Sequence, residues 1–153
     1  MAFETTKDIL DHAREFHSQL SEFYSSLSNQ SEKQRVKMLL DYMSQQEKHL
    51  EDTLARYEEQ LSEKMLNTWF QCPPPKEILS ICKEVTMAGK GDLTVDDVIA
   101  MVVKLDQCLI DLFKDAVEKS ETDALREIFK NLVEMERRYQ LELVRNAQEW
   151  KDL

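Results

Sequence analysis

Apolar residues recur at alternating three- and four-residue intervals through four long stretches of this chain, the spacing that lines one face of an α-helix. The first stretch, from about Thr6 to Ser28, puts Ile9, Ala13, Phe16, Leu20, Tyr24 and Leu27 on one side and stops in the polar cluster Ser28, Asn29, Gln30. The second begins at Ser31, where Ser31-Glu32-Lys33-Gln34 has capping-box spacing, and runs through Val36, Leu39, Met43, Leu50, Leu54, Tyr57 and Leu61. A third starts after Thr94, a good N-cap followed by Asp96 and Asp97 in the first turn, and reaches about Lys119. The fourth is capped by Ser120 or Thr122 and continues to about Trp150. Only a few residues join the first stretch to the second and the third to the fourth, so each pair makes an antiparallel hairpin.

Between the hairpins lies a different kind of sequence, about residues 64–94, with Trp69 and Phe70 close to Pro73, Pro74 and Pro75. Both glycines and all three prolines of the chain fall between Pro73 and Gly91. Pro75 suits the first position of a short helix through Ile78, Leu79, Cys82 and Val85 that ends at Gly89. The expected architecture is therefore all-α: a four-helix bundle of two antiparallel hairpins joined by a long crossover that contains a short helix. A chain of 153 residues is the length of one ordinary domain, spanning 1–153.

Composition narrows the partners. The net charge is −10, with basic residues interspersed among acids, which argues against nucleic acid and against anionic membrane surfaces. No apolar run approaches the roughly 20 residues that span a bilayer. The N-terminal residues lack the apolar block of a secretory signal, so a cytoplasmic location is the expectation. Cys72, Cys82 and Cys108 share no C-x-x-C spacing and read as buried or idle thiols.

Two positions break the apolar pattern. Asp106 sits within Val98, Val102, Leu109, Phe113 and Ala116, and Glu136 within Leu125, Phe129, Leu132, Tyr139, Leu143, Ala147 and Trp150. Burying an unpaired carboxylate costs several kcal/mol, so each needs a cation, a proton, a hydrogen-bond network or a metal ion. The two halves also resemble each other. Seven residues separate Tyr24 from Ser31 and seven separate Phe113 from Ser120, each ending a helix before a capped restart. On that internal repeat, Asp106, seven before Phe113, corresponds to His17, seven before Tyr24.

Glu22-Phe23-Tyr24-Ser25-Ser26-Leu27 and Phe129-Lys130-Asn131-Leu132-Val133-Glu134-Met135-Glu136-Arg137-Arg138-Tyr139, with the order of the helices, resemble small ferritin-like proteins of the rubrerythrin type. Those proteins set a Glu on the first and third helices and Glu-x-x-His on the second and fourth around a di-iron centre. The resemblance places His17 at the first Glu, Gln46 and His49 at the second helix's pair, Asp106 at the third helix's Glu, and Glu136 with Tyr139 at the last pair. Only His49 and Glu136 keep the family's identities. The set His17, His49, Asp106 and Glu136 then implies one divalent ion, Fe, Mn or Zn, in place of two irons, and no organic cofactor. Such a reduced site disfavours di-iron oxidase or peroxidase chemistry, leaves a redox role open, and leans away from an enzyme.

The register of the second helix has an alternative. A stripe through Val36, Leu40, Met43, Leu50 and Leu54 centres Glu47 and turns His49 outward, whereas Leu39, Tyr42, Met43, His49, Thr53 and Tyr57 make the face the resemblance favours. The competing function is a metal-free bundle, with His17 paired to Asp106 and His49 to Glu136, acting as a structural or interaction module. Trp69 and Phe70 would then be candidates for a partner-binding or homodimer surface, or else would pack over the bundle end.

Overall fold

The computed structural model describes residues 2–72, 75, 79–80, 84 and 92–152. Four long helices dominate: α1 (Thr6–Gln30), α2 (Gln34–Glu59), α4 (Val95–Lys119) and α5 (Asp123–Asp152). Between α2 and α4 come the single turn α3 (Glu63–Leu66) and a strand β2 (Trp69–Cys72), which pairs with β1 (Ala2–Thr5). Packing is most extensive within α1–α2 and within α4–α5, the two expected hairpins.

Cap chemistry sets most of the boundaries. Thr5 and Asp8 form a reciprocal capping box at α1, and Thr94 with Asp97 does the same at α4. The Thr122 hydroxyl accepts from the Leu125 N–H at the start of α5. The capping box expected at Ser31 is not formed. Ser31 instead ends α1 by donating its N–H to the Ser28 carbonyl, and Lys33 precedes α2 without a side-chain cap.

The core lies between the four long helices, with Leu10, Leu20, Leu40, Leu54, Leu105 and Phe129 among its fully enclosed side chains. Each such side chain contributes roughly 1.5–3 kcal/mol by leaving water. Small polar groups fix the register of α1 on α2. The Ser21 hydroxyl donates to the Ser44 carbonyl at 2.8 Å, and the Ser44 hydroxyl donates to the Ser21 carbonyl at 2.7 Å. Both serines are buried, and their small volume lets the two helices approach. On the other hairpin, the Gln140 amide reaches from α5 to the Val103 carbonyl on α4 at 3.1 Å.

The two-stranded sheet was not anticipated. Antiparallel pairing sets Phe3 opposite Gln71, Glu4 opposite Phe70 and Thr5 opposite Trp69. The pleat then splits the two aromatics of β2. Phe70 points into the core and meets Phe129 edge-on at 5.5 Å, while Trp69 stays 64% exposed, on the face that also carries Phe3 at 62%. Periodicity missed these strands because each is four residues long and pairs with a partner more than sixty positions away. Pro75, Leu79, Ser80 and Glu84 are helical, in keeping with the short helix expected from Pro75 to Gly89; its remaining positions, Ile78, Cys82 and Val85 among them, lie outside the described residues. Cys108 is disulfide-bonded, against the expectation of idle thiols; pairing depends on distance across the fold, which spacing along the chain does not report. Among the described residues no helix is long and apolar enough to cross a membrane.

Candidate functional site

Each long helix sends one ionisable side chain to the middle of the bundle: His17 from α1, Glu47 from α2, Asp106 from α4 and Glu136 from α5. All four are essentially without solvent contact. The imidazole is the hub. Its Nδ1 hydrogen-bonds to Glu47 Oε2, and its Nε2 lies 2.8 Å from Glu136 Oε1. The Asp106 carboxyl faces Glu136 and, carrying a proton, hydrogen-bonds to it.

This geometry corrects the second-helix register. His49 is exposed and Gln46 is only half-buried, whereas Glu47 is enclosed. The cause is the stripe Leu40, Met43, Leu50 and Leu54: turning His49 inward would bring Leu50, its buried neighbour one residue on, out to water. Tyr42, from the face the resemblance favours, is exposed as well and makes a tilted ring contact with Trp150 at 5.5 Å, while Thr53 is half-buried. Of the four expected site residues, His17, Asp106 and Glu136 come together and His49 does not. Glu47 replaces it, and the apolar stripe alone was the signal for it. The expected pairings change too: His17 bridges Glu47 and Glu136 instead of meeting Asp106, and His49 reaches no member of the cluster.

Three carboxylates therefore share one base, and protons settle the difference. Burial by itself would pull the His17 pKa down, but Glu136 and Glu47 outweigh it and raise it to about 10. The ring is an imidazolium at neutral pH and donates both N–H groups to carboxylates. Burial would push Glu136 upward, yet the charge of His17 and hydrogen bonds from Asp106 and His17 hold it below the usual range. Asp106 goes the other way. Burial, then the neighbouring Glu136 and Glu47, lift it well above the carboxylate range, so it carries a proton. Burial also raises Glu47, against the pull of His17.

Two tyrosines complete the centre. The Tyr139 hydroxyl sits 3.6 Å from Met43 Sδ and interacts with Glu47. The Tyr24 hydroxyl is fully enclosed and has no partner.

The donor set does not fit a pair of irons. Three residues beyond Glu47 stands Leu50, and three beyond Glu136 stands Tyr139, so neither Glu-x-x-His motif keeps its histidine. In the arrangement seen, no group of three or more His, Cys, Asp or Glu side chains among the described residues is set to hold an ion, and the His17 ring stands between two of the carboxylates. By donor type alone, three carboxyl groups and one imidazole suit one ion better than two.

No protein-family model and no curated protein matches the chain. Among solved structures, it is similar to a crystal structure at 2.30 Å from Thermotoga maritima, whose description as a ferritin-like diiron-carboxylate protein is itself provisional. The TM-score is 0.60 at 17% identity, over 97% of this chain and 98% of that one. A likeness of this kind, spanning both chains end to end at low identity, speaks to architecture, and it agrees with the order of helices observed: the fold of this chain is the ferritin-like bundle.

Proposed function

We propose that this chain is a ferritin-like protein that binds one divalent metal ion at the bundle centre, with Glu47, Asp106 and Glu136 as oxygen donors and His17 as the nitrogen donor. The observation that carries this reading is the convergence of three buried carboxyl groups and one imidazole, one from each long helix. Burying three carboxyl groups against one base costs several kcal/mol, a cost that an ion would offset. Carboxylates with one imidazole suit Fe, Mn or Zn. The description of the Thermotoga maritima protein as a ferritin-like diiron-carboxylate protein supports metal binding by a bundle of this fold. No oxidase or peroxidase activity is proposed, because Leu50 and Tyr139 stand where the di-iron pattern has its histidines.

Binding would be coupled to protons. The centre is held together by protons on His17 and Asp106, and an ion must displace them. Chelator-treated protein titrated with Mn, ferrous iron or Zn in weakly buffered solution should bind about one equivalent, release protons and melt at a higher temperature. Absence of uptake, proton release and thermal shift for all three ions would sink the reading.

A second reading has its own support in the engagement of both His17 nitrogens. Here the imidazolium is itself the counter-ion, the bundle is a metal-free scaffold, and the exposed Phe3 and Trp69 form its contact surface, a homodimer included. The same titration separates the two readings.

A further inference from the structure

α2 and α5 belong to different hairpins, and on their outer side they touch at two levels. At one, the Asn131 amide donates to the Tyr57 hydroxyl at 3.3 Å, and that hydroxyl donates to the Ile128 carbonyl at 3.4 Å. At the other, Tyr42 meets Trp150. Between these contacts lies a cavity of about 390 Å³ that opens to solvent. Its size falls in the range of roughly 300–1,000 Å³ found for ligand pockets, which form between the helices of bundles.

The floor of the cavity is apolar. Leu50, Met135 and the Tyr139 ring form it, and Leu50 and Tyr139 are only 6% and 8% exposed. The Tyr139 hydroxyl is turned to Met43 and Glu47, so the phenol separates the cavity from the buried cluster. The rim is polar and carries both signs of charge. Arg138 and Glu142 stand one helical turn apart on α5, and Gln46 and His49, at i, i+3, line the α2 side. Gln46, His49 and Glu142 have no side-chain hydrogen bond or ion pair among the described residues. Arg138 reaches Glu134 only at 4.0 Å, and both side chains are largely exposed, a pairing worth little.

We propose that this cavity binds a small zwitterion with an apolar side chain, of the free α-amino acid class. Its carboxylate meets the Arg138 guanidinium and the His49 ring, its ammonium meets Glu142 and the Gln46 amide oxygen, and its side chain lies on Leu50, Met135 and Tyr139. The distribution of charge sets the class. An anion would add a negative charge beside Glu134 and Glu142, and a cation would add a positive one beside Arg138. A neutral apolar molecule would draw water from the charged rim and give nothing in return. A zwitterion sets an opposite charge against each side. Binding needs no ion in the centre.

Calorimetric titration and NMR of metal-free protein would test this with L-leucine, L-methionine and L-phenylalanine. Their N-acetyl forms lack the ammonium and their amides lack the carboxylate. The expected result is a Kd of about 1 mM or tighter for at least one amino acid and a loss of roughly tenfold in each blocked form. The methyl signals of Leu50 and Met135 should shift on binding. Arg138→Ala should weaken the amino acid and leave its amide unaffected, and Glu142→Ala should weaken it and leave the N-acetyl form unaffected. Both positions are exposed, so each variant should melt within about 2 °C of wild type. The proposal is overturned if none of the three binds, if blocking either charge changes nothing, if both variants bind as wild type does, or if the shifted methyls lie away from this cavity.

Discussion

His17 Nε2 lies 2.8 Å from Glu136 Oε1, although the two residues are 119 positions apart in the chain. One buried contact thus ties α1 to α5, and through Glu47 to α2, so this cation organises three helices. Removing it leaves buried carboxylates without a counter-charge, which typically costs about 3–5 kcal/mol. His17→Ala is expected to lower the free energy of unfolding, measured by urea titration, by that much at neutral pH. The double variant His17→Ala, Glu136→Gln should recover part of the loss, since the two groups share one network. Equal and additive losses would show that the pair is not coupled.

Stability should fall on the alkaline side. The His17 pKa is raised to about 10, so its contribution is fully present below the unfolded value near 6.5 and is lost as pH rises through about 10. The raised pKa of Asp106 acts in the same direction, because the folded state holds a proton that the unfolded chain has released. Glu136, held low, opposes this only in acid: its contribution is present above about pH 4.5 and is lost as pH falls through its folded value. Thermal melts of metal-free protein should therefore show a maximum in the mildly acidic range and a steady decline from about pH 6.5 to 10. A flat profile over that window would contradict the imidazolium.

Asp106 carries a cost in the metal-free protein that the proposed ion would turn into a benefit. Asparagine resembles the protonated acid in shape and does not have to be kept neutral. Asp106→Asn is expected to match or exceed the metal-free wild type by about 1 kcal/mol at pH 8. The same variant should lose most of its thermal shift with Mn, Fe or Zn. Destabilisation of more than about 2 kcal/mol without metal would mean that the carboxylate is ionised and paired.

The helices were legible because an amphipathic stripe repeated over about six turns leaves little choice of face. His17 and Asp106 were legible for the same reason, with the internal repeat linking one to the other. Glu47 was harder. Two faces of α2 had nearly equal apolar content, and the choice lay with Leu50, whose burial and the outward turn of His49 are one event. The strands that hold Trp69 outward depend on a contact between chain regions that no local pattern encodes.

The central claim is that an ion sits among Glu47, Asp106, Glu136 and His17, and elemental analysis tests it most directly. Wild type, His49→Ala and Glu47→Gln would be purified without chelators and measured by mass spectrometry of their metals. The account predicts about one equivalent of Fe, Mn or Zn in wild type and in His49→Ala, and a loss of at least tenfold in Glu47→Gln. Metal-free wild type, or metal lost with His49 and kept without the Glu47 carboxylate, would contradict it.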